Sequence, residues 1–359
     1  MKTIKKTAAA LLSLALLLVS LPMAMSVSAE TAADAFTYTV RNDDTVSITK
    51  YIGEDTDVVI PAAIDGKPVT VIGERAFSRK PIETVVLPDG LKQIWQYAFS
   101  NCTALQSSVI PDSVEWLASC VFEGCTSLRT AVLPEEIRTL GGGVFSGCES
   151  LETVKMPRRF SDDTGLRDQR IGHDMFFGCK SLQSIQFPEN VYDLDGGFTD
   201  CDSLRSVTLK GIQKIITVDE LPIPGRPDPQ DIIFKDCDQL ESIVIPNTLE
   251  SLSDILVVDC PNFKDIYYLG TKEEWDTLGV QSTQIMNATV HFFLAGDVDW
   301  DGEVTSGDMR TIFASLLSET PLPDEQFFAA DVSGDGEVTM ADIRCVMTNM
   351  VGTSGGCLV

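Results

Sequence analysis

Two short runs of acidic residues near the end of the chain have the composition of metal-binding loops. The first reads GDVDWDGEVTSGD from Gly296 to Asp308, and the second reads ADVSGDGEVTMAD from Ala330 to Asp342. Calcium takes about six to eight oxygen ligands, and alternate side chains of a twelve-residue loop converge on it when a glycine at position six allows a sharp turn. Both runs have that glycine, Gly302 in the first and Gly336 in the second. They therefore predict two calcium-binding loops.

Each loop offers side-chain oxygens at positions 1, 3, 5 and 12, and a backbone carbonyl at position 7. In the first loop these positions are held by Asp297, Asp299, Asp301, Asp308 and, for the carbonyl, Glu303. In the second loop they are held by Asp331, Ser333, Asp335, Asp342 and Glu337. Both loops end in Asp, where the general EF-hand pattern has Glu. We expect one Ca²⁺ ion per loop, with weaker binding in the second because Ser333 is neutral.

An amphipathic run follows each loop, which indicates a helix after each one. The apolar positions of the first run are Met309, Ile312, Phe313, Leu316 and Leu317. Each lies 34 residues before its counterpart among Ile343, Val346, Met347, Met350 and Val351. The pattern predicts a duplicated loop-helix unit whose two helices pack together. Such a small unit buries little surface, so we expect it to be disordered or loose without calcium.

A repeat occupies most of the chain before these loops. The motif F-x-x-C-x-x-L begins at Phe99, Phe122, Phe145, Phe176, Phe198 and Phe234, with degenerate copies at Phe77 and Val257. Each copy continues into a strand-like run that ends in proline, such as LETVKMP, and then into a half-turn of the pattern P-x-x-V/I/L-x-x-L/I. A period of about 22 or 23 residues is the signature of a solenoid, whose units bury their apolar sides by stacking.

Seven of the ten cysteines hold one fixed place in this repeat: Cys102, Cys125, Cys148, Cys179, Cys201, Cys237 and Cys260. Stacked units point equivalent side chains in the same direction, which favours a ladder of buried thiols over disulfide bridges. Cys120, Cys345 and Cys357 lie outside the ladder and receive no assignment.

The repeat resembles the BspA-like leucine-rich repeats of bacterial surface and secreted proteins. The resemblance extends over about residues 36 to 292, because the segment from TYTVRNDD to GERAF looks like the opening cap of that family and IYYLGTKEEWDTL with NATVHF looks like its closing cap. It implies an α/β repeat solenoid, right-handed and with a strand per repeat. Two insertions, Arg158–Gly172 and Gly211–Asp231, are either surface loops or parts of a ligand surface.

The duplicated unit, residues 296 to 352, resembles a type I dockerin, and AADVSGDGEVTMADIRCVM is close to the second repeat of that family. The resemblance implies a small all-α, EF-hand-like domain that binds a cohesin module of a scaffoldin in a cellulosome, the assembly that breaks down plant polysaccharide. In this family partner choice depends largely on loop positions ten and eleven and on the following helix. The matching residues here are Ser306, Gly307, Arg310, Met340, Ala341 and Arg344.

Composition and the N-terminus bear on location and partners. The net charge of −26 excludes the basic surface that nucleic-acid binders need. Residues 1–29 have the basic start, apolar run and small-residue end of a signal peptide, and no other segment is long enough to span a membrane. We therefore expect a secreted protein with repeats over 30–292, a junction at 293–295, the dockerin-like domain at 296–352 and a tail at 353–359.

These observations predict a non-catalytic subunit that docks on a cohesin and presents its repeats to a protein or a glycan. The outward strand positions are small and polar (Thr130, Thr153, Ser184, Ser206, Thr208, Ser242), so they do not identify that ligand. Two alternatives stay open: an enzyme with an unrecognised active site in the repeats, and a cell-surface adhesin. The chain has two histidines and no G-x-S-x-G or H-E-x-x-H motif, which argues against the enzyme.

Overall fold

A computed structural model describes residues 29–160, 170–187, 191, 193–194, 197–209, 214–215, 233–247, 257–278, 285, 287–294, 296–299, 303–318, 322, 326, 329–330, 332 and 338–351. The predicted signal peptide and most of both insertions lie outside these residues. The chain divides into two compact units, one formed by Glu30–Phe292 and one that contains Phe293–Val359. Within the described residues, every helix falls short of the length and hydrophobicity that a membrane-spanning helix needs.

The first unit is a β-solenoid of about eight turns, which confirms the predicted repeat solenoid. Its strands are numbered β1 to β25 in chain order. The long-strand face consists of β3 (Asp57–Val59), β6 (Thr84–Val86), β8 (Ser107–Val109), β10 (Thr130–Val132), β13 (Thr153–Lys155), β16 (Ser184–Gln186), β19 (Ser206–Thr208), β22 (Ser242–Pro246), β24 (Asp265–Leu269) and β25 (Thr289–Phe292). The other face is called the short-strand face, because its strands after β5 have only two residues each. It consists of β1 (Phe36–Val40), β2 (Val46–Tyr51), β5 (Lys67–Ile72), β7 (Gln93–Ile94), β9 (Trp116–Leu117), β12 (Thr139–Leu140), β15 (Arg170–Ile171), β17 (Asp193–Leu194) and β20 (Lys214–Ile215).

Smaller pairings complete the turns. A third ladder contains β18 (Phe198–Thr199), β21 (Phe234–Lys235) and β23 (Val257–Val258), and two further pairs join β4 (Ala63–Ile64) to β5 and β11 (Glu136–Ile137) to β14 (Arg159–Phe160). Pairing is parallel except in the hairpins β1–β2 and β4–β5. The segment that the sequence suggested as a half-turn thus forms its own strand in most turns. It does so because its buried positions recur in every repeat and align in register with the next turn.

The repeated Phe forms a continuous aromatic stack through the core. Neighbouring ring centroids lie 4.9 to 5.9 Å apart with interplanar angles of at most 21°. The stack contains Tyr51, Phe77, Phe99, Phe122, Phe145, Phe176, Phe198 and Phe234, all buried. One turn cannot cover its own ring, so the solenoid is held together by contacts between turns.

The cysteine ladder runs beside this stack. From Cys102 to Cys237, each ladder thiol donates to the carbonyl of the Phe-position residue one turn earlier, as in Cys125 to Phe99 and Cys148 to Phe122, both at 3.2 Å. The last thiol of the ladder, Cys260, donates to the carbonyl of Val258 at 3.3 Å. All the described cysteines are free thiols, which agrees with the predicted ladder. Burial raises the pKa of the Cys148 thiol to about 12, so the thiol stays neutral.

The residue two positions after the Phe adopts a left-handed backbone in turn after turn. Its φ is 57° at Asn101, 70° at Gly124 and 56° at Asp200. Glycine, asparagine and aspartate tolerate this conformation best, which explains why they recur at that place in the repeat. The turn that brings each Phe inward is therefore encoded by small residues beside it.

Two segments end the array. At the N-terminal side, the hairpin β1–β2 supplies Tyr51, the first ring of the stack, and places Phe36 against Tyr51 and Phe77. At the C-terminal side, helix α1 (Lys272–Thr277) begins with a capping box between Thr271 and Glu274, and Trp275 packs on Tyr268. Aromatic side chains thus pack against the core near both ends of the array.

The second unit contains helices α2 (Ser306–Ser318) and α3 (Met340–Val351). Ile312 of α2 and Ile343 and Val346 of α3 share one buried cluster, so the two helices pack together as the sequence predicts. Several other positions of the predicted apolar faces are exposed, since two helices cover only part of each other's surface. The exposed members are Phe313, Leu317, Met347 and Met350.

Candidate metal centre and docking surface

Three of the predicted calcium ligands meet in the first loop. One carboxylate oxygen from each of Asp297, Asp299 and Asp308 lies within 4.8 Å of the others. Asp297 and Asp308 are buried, whereas Asp299 is exposed. Asp301 lies outside the described residues, and Glu303, at position 7 of the loop, is exposed. The structure therefore brings positions 1, 3 and 12 of the loop to one point.

Hydrogen bonds fix the carboxylate of Asp308 on both sides. Its Oδ1 accepts the backbone N–H groups of Val298 at 2.6 Å and Asp299 at 3.1 Å. Its Oδ2 accepts the backbone N–H of Thr305 at 2.8 Å and the Thr305 hydroxyl at 3.3 Å. Asp308 thus ties the beginning of the loop to the beginning of helix α2.

Thr305 is the residue before helix α2, and its hydroxyl accepts the N–H of Gly307 at 3.0 Å. Together with the bond from Thr305 N–H to Asp308, this gives a reciprocal cap of the T-x-x-D type. The second loop has the same arrangement, with Thr339 N–H donating to Asp342 at 2.7 Å. The sequence analysis did not select Thr305 or Thr339, although T-x-x-D before an apolar run indicates a capping box.

Gly307 has a packing role beside the carboxylates. A Cβ atom at this position would lie 3.2 Å from Oδ2 of Asp299 and 3.1 Å from the Thr305 hydroxyl. The missing side chain therefore lets the Asp299 carboxylate approach the first turn of α2. The sequence analysis predicted Gly307 only as a cohesin contact.

The donor set of this cluster suits a hard divalent cation. All three side chains are carboxylates, and oxygen is the ligand atom that calcium prefers. Two like charges about 4 Å apart repel by a few kcal/mol even at a protein surface, so a cation at the common point offsets a large penalty. The three oxygens, the buried position of Asp308 and the loop length all fit one calcium ion.

The second loop is described only at its last ligand position. Asp342 is buried and capped by Thr339, as Asp308 is by Thr305. Asp331, Ser333, Asp335 and Glu337 lie outside the described residues. The correspondence of Asp342 with Asp308 shows that the duplication extends to the hydrogen bonds of the helix start.

Most of the predicted cohesin contacts are accessible. Ser306, Arg310, Met340, Ala341 and Arg344 are exposed, and Gly307 is half-buried. The exposed Phe313 and Met347 extend the same helix faces, seven residues after Ser306 and Met340. The sequence analysis assigned these two residues to the packed face. Only the helix contacts in the structure distinguish the buried part of the apolar stripe from the exposed part.

Both histidines pack against other residues of the solenoid. His291 lies 3.0 Å from a carboxylate oxygen of Asp265 on the neighbouring strand and stacks on Tyr267. His173 packs against Gly142 of the preceding turn, where a Cβ atom would lie 2.6 Å from its Nδ1. Gly142 is thus required for close packing between turns.

Family models match both units. The model described as BspA type leucine rich repeat region matches in six copies over residues 63–162, 167–220 and 230–279. The model described as dockerin type I domain matches residues 295–350. Both are non-catalytic families. No curated protein matches the chain.

Several solved structures are similar to this chain. A leucine-rich repeat protein of T. pallidum is 30% identical, covers 52% of this chain and 85% of its own, and has a TM-score of 0.46. A leucine-rich cell surface protein from Faecalibacterium prausnitzii is 20% identical over 71% of this chain and 98% of its own, with a TM-score of 0.31. A leucine-rich repeat protein from Bacteroides ovatus is 22% identical, covers 74% of this chain and 77% of its own, and has a TM-score of 0.40.

Proposed function

The chain belongs to the BspA-type leucine-rich repeat family and carries a dockerin type I domain, and we propose that it is a secreted, non-catalytic subunit that docks on a scaffoldin cohesin. Its repeats then present a surface that binds a protein or a glycan. A dockerin domain implies a cohesin partner, and type I dockerins bind calcium. The convergence of Asp297, Asp299 and Asp308 carries the proposal, because three carboxylate oxygens within 4.8 Å of one another form the kind of donor set that calcium prefers.

The proposed calcium site and the proposed docking surface are joined through Asp308. This residue supplies the last ligand of the loop and also accepts the N–H of Thr305 at the start of α2. A bound calcium ion neutralises the loop carboxylates and holds them together. The fixed carboxylate in turn orients the first turn of α2, where Ser306 and Arg310 are exposed. Metal binding and partner binding are therefore linked.

We assign a second calcium ion to the loop that ends at Asp342. The assignment depends on the repeated ligand pattern of the sequence and on the shared cap between Asp342 and Thr339. Ser333 replaces one carboxylate, so this loop attracts the cation less strongly. The two proposed sites have the same ligand positions but differ in the number of carboxylates.

The proposed docking surface combines two exposed arginines with apolar side chains. Arg310 and Arg344 occupy equivalent places on α2 and α3, flanked by Phe313 and Met347. Arginine beside exposed apolar groups is typical of the residues that dominate protein interfaces. The two copies differ at their first helical residue, Ser306 against Met340, which favours one orientation of the partner over the other.

The proposed location follows from the N-terminal residues 1–29 and from the partner. A signal peptide would export the chain, and a cohesin would then hold it in an extracellular complex. Nothing in this role requires catalysis by the repeats. The enzyme alternative would be supported instead if the purified protein degraded a polysaccharide and its specific activity stayed constant through further purification steps.

Calcium-dependent binding to a panel of cohesin modules tests the proposal. Isothermal titration calorimetry of the full chain should detect a cohesin that binds in calcium and fails to bind in excess chelator. Asp299→Asn should weaken that binding much more than Glu303→Gln, since Glu303 is proposed to offer only its backbone carbonyl. Cohesin binding of equal strength with and without chelator would contradict the calcium-linked docking.

A further inference from the structure

Two tryptophans are exposed side by side on the short-strand face of the solenoid. Trp95 and Trp116 are 42% and 48% exposed, although the chain has only four tryptophans. Trp95 directly follows the buried Ile94, and Trp116 directly precedes the buried Leu117. Both side chains therefore point to the outer side of the sheet.

The strand register places the two side chains on adjacent turns. Gln93 of β7 lies directly opposite Trp116 of β9, and Trp95 is two residues further along. From the spacing of strands and residues in a sheet, the two Cα atoms are about 8 Å apart. The indole Nε1 of Trp95 donates to Oε1 of Gln93 at 3.0 Å, so the ring is held in one orientation.

Small residues flank Trp95 on both sides. The backbone N–H groups of Gly73, Trp95, Ala118 and Gly141 bond to equivalent carbonyls one turn earlier, which places the four residues in one row across the sheet. A Cβ atom at Gly141 would lie 2.3 Å from the backbone of Ser119, so this position cannot carry a larger side chain. The two neighbours of Trp95 in this row, Gly73 and Ala118, therefore have little or no side chain beside the indole.

The charged groups next to Trp116 are already paired with one another. Glu115 lies 3.1 Å from the ammonium of Lys92 and 3.5 Å from the guanidinium of Arg138, on the two neighbouring turns. A ligand at this surface therefore gains little from a charge of its own. Its affinity must come from stacking on the indoles and from hydrogen bonds to groups such as the Gln93 amide.

We propose that Trp95 and Trp116 form a binding surface for a neutral glycan chain. The apolar C–H face of a sugar ring stacks on the electron-rich face of an indole, and its hydroxyls bond to nearby polar groups. Two indoles on adjacent turns can cover successive sugar rings. This inference deepens the proposed function, since it gives the class of ligand for the repeats, and it is independent of the cohesin contacts.

A protein partner fits this surface less well. A stable protein interface involves about 20 to 30 residues on each side and a core free of charged groups. Here the two exposed indoles are bordered by the ion-paired Lys92, Glu115 and Arg138 on one side and by a row of small residues on the other. The apolar part is wide enough for a sugar chain and small for a protein.

Glycan binding by the full chain in calcium tests the proposal. The probes are hexasaccharides of β-1,4-linked glucose, mannose and xylose, with a hexamer of galacturonic acid as the charged comparison. We expect at least one neutral hexamer to bind and to change the tryptophan fluorescence. Trp95→Ala and Trp116→Ala should each weaken this binding by about fivefold to tenfold. The double variant should show no measurable binding.

Val109→Ala is the matched control, since Val109 is exposed on the long-strand face and lies away from both indoles. It should bind the hexamer as the unsubstituted chain does, and thermal melting should show that all variants are folded. Cohesin binding by the Trp95→Ala, Trp116→Ala double variant should be unchanged, which separates a failure here from a failure of docking. Absence of binding to every neutral hexamer, equal binding by the double variant, or preference for the galacturonate would each overturn the proposal.

Discussion

The carboxylate of Asp308 accepts the backbone N–H of Thr305 at 2.8 Å, so one side chain serves both the acidic loop and the start of helix α2. In the usual capping box the partner of the Ser or Thr is a Glu or Gln three residues later. Here the same carboxylate lies with Asp297 and Asp299 in the proposed calcium site. The position-12 residue of this loop is therefore under two constraints, and a change there should affect metal binding and helix stability together.

Substitution at Asp308 and at Thr305 should separate these two contributions. Asp308→Asn keeps the shape but removes the charge, so calcium affinity should fall by about tenfold or more, equivalent to about 1.4 kcal/mol. Thr305→Ala removes only the capping hydroxyl and should lower stability by about 1 kcal/mol. Calcium titration by calorimetry and thermal melting measure the two effects. Equal losses of calcium affinity in both variants would contradict the separate roles.

Chelation of calcium should loosen the second unit and leave the solenoid intact. The second unit has a small core around Val298, Ile312 and Val346, whereas the solenoid has a continuous aromatic stack. Hydrogen exchange measured by mass spectrometry should show faster exchange over residues 303–318 and 340–351 in chelator. Peptides around Phe122 and Phe145 provide the internal control and should exchange at an unchanged rate. Unchanged protection of both helices in chelator would show that calcium is not needed for their folding.

The two proposed calcium sites should differ in affinity. The first loop offers four side-chain carboxylates at ligand positions, and the second offers three because of Ser333. Calorimetry should resolve a stronger and a weaker site, and Asp342→Asn should weaken binding only at the weaker one. Ser333→Asp restores the fourth carboxylate and should bring the second affinity close to the first. Two equal sites in the unsubstituted chain would be the contrary result.

Adjacent phenylalanines allow a matched test of the aromatic stack. Phe176 is fully buried with neighbouring rings at 5.8 and 5.4 Å, whereas Phe177 is 42% exposed. Phe176→Ala should lower the free energy of unfolding by about 3 to 5 kcal/mol, because it leaves a cavity between turns. Phe177→Ala should change it by less than about 1 kcal/mol. Denaturant unfolding measures both, and similar losses would mean that the stack is not the main source of stability.

The buried thiols predict a loss of stability at alkaline pH. Burial raises the pKa of Cys148 from its ordinary value of 9.0 to about 12. Below pH 9 the thiol is neutral in the folded and unfolded states, and its contribution is fully present. Between about pH 9 and pH 12 only the unfolded state loses the proton, so stability should fall by about 1.4 kcal/mol per pH unit for this thiol.

Cys148→Ser is the control for this effect. The serine hydroxyl can still donate to the carbonyl of Phe122, as the thiol does at 3.2 Å, but it does not ionise in this range. Thermal melting from pH 8 to pH 11 should therefore show a shallower alkaline loss in Cys148→Ser than in the unsubstituted chain. Parallel curves for the two proteins would show that Cys148 keeps an ordinary pKa in the fold.

The repeat and the acidic loops were readable in the sequence because each depends on a local pattern that recurs at a fixed offset. Phe122 and Cys125 stand at positions of the repeat that recur in the other units, so the period of the repeat was enough to predict that they are buried. Asp297, Asp299 and Asp308 belong to one short loop, so their convergence required no knowledge of distant contacts. The cap formed by Thr305 was equally local and could have been predicted from the same residues.

Which side chains are exposed could be identified only from the tertiary structure. For the repeats, the sequence analysis considered only the outward positions of the long-strand face, where Thr130 and Thr153 are exposed. Trp95 and Trp116 lie on the short-strand face, in a segment that the pattern suggested as a half-turn. Phe313 and Met347 likewise belong to apolar stripes that look continuous in the sequence. Which part of such a stripe is covered depends on how far the neighbouring helix or turn extends.

The sequence by itself therefore determined the solenoid, its ladder of buried thiols and the candidate ligands of the first loop, since those features follow from periodicity and from residues close together in the chain. Only the tertiary structure decided the double role of Asp308, the orientation of Trp95 through Gln93 and the exposed part of each helix. The physical reason is that periodicity specifies which side chains face inward. The packing of one element on another specifies which of the remaining side chains stay exposed to a partner.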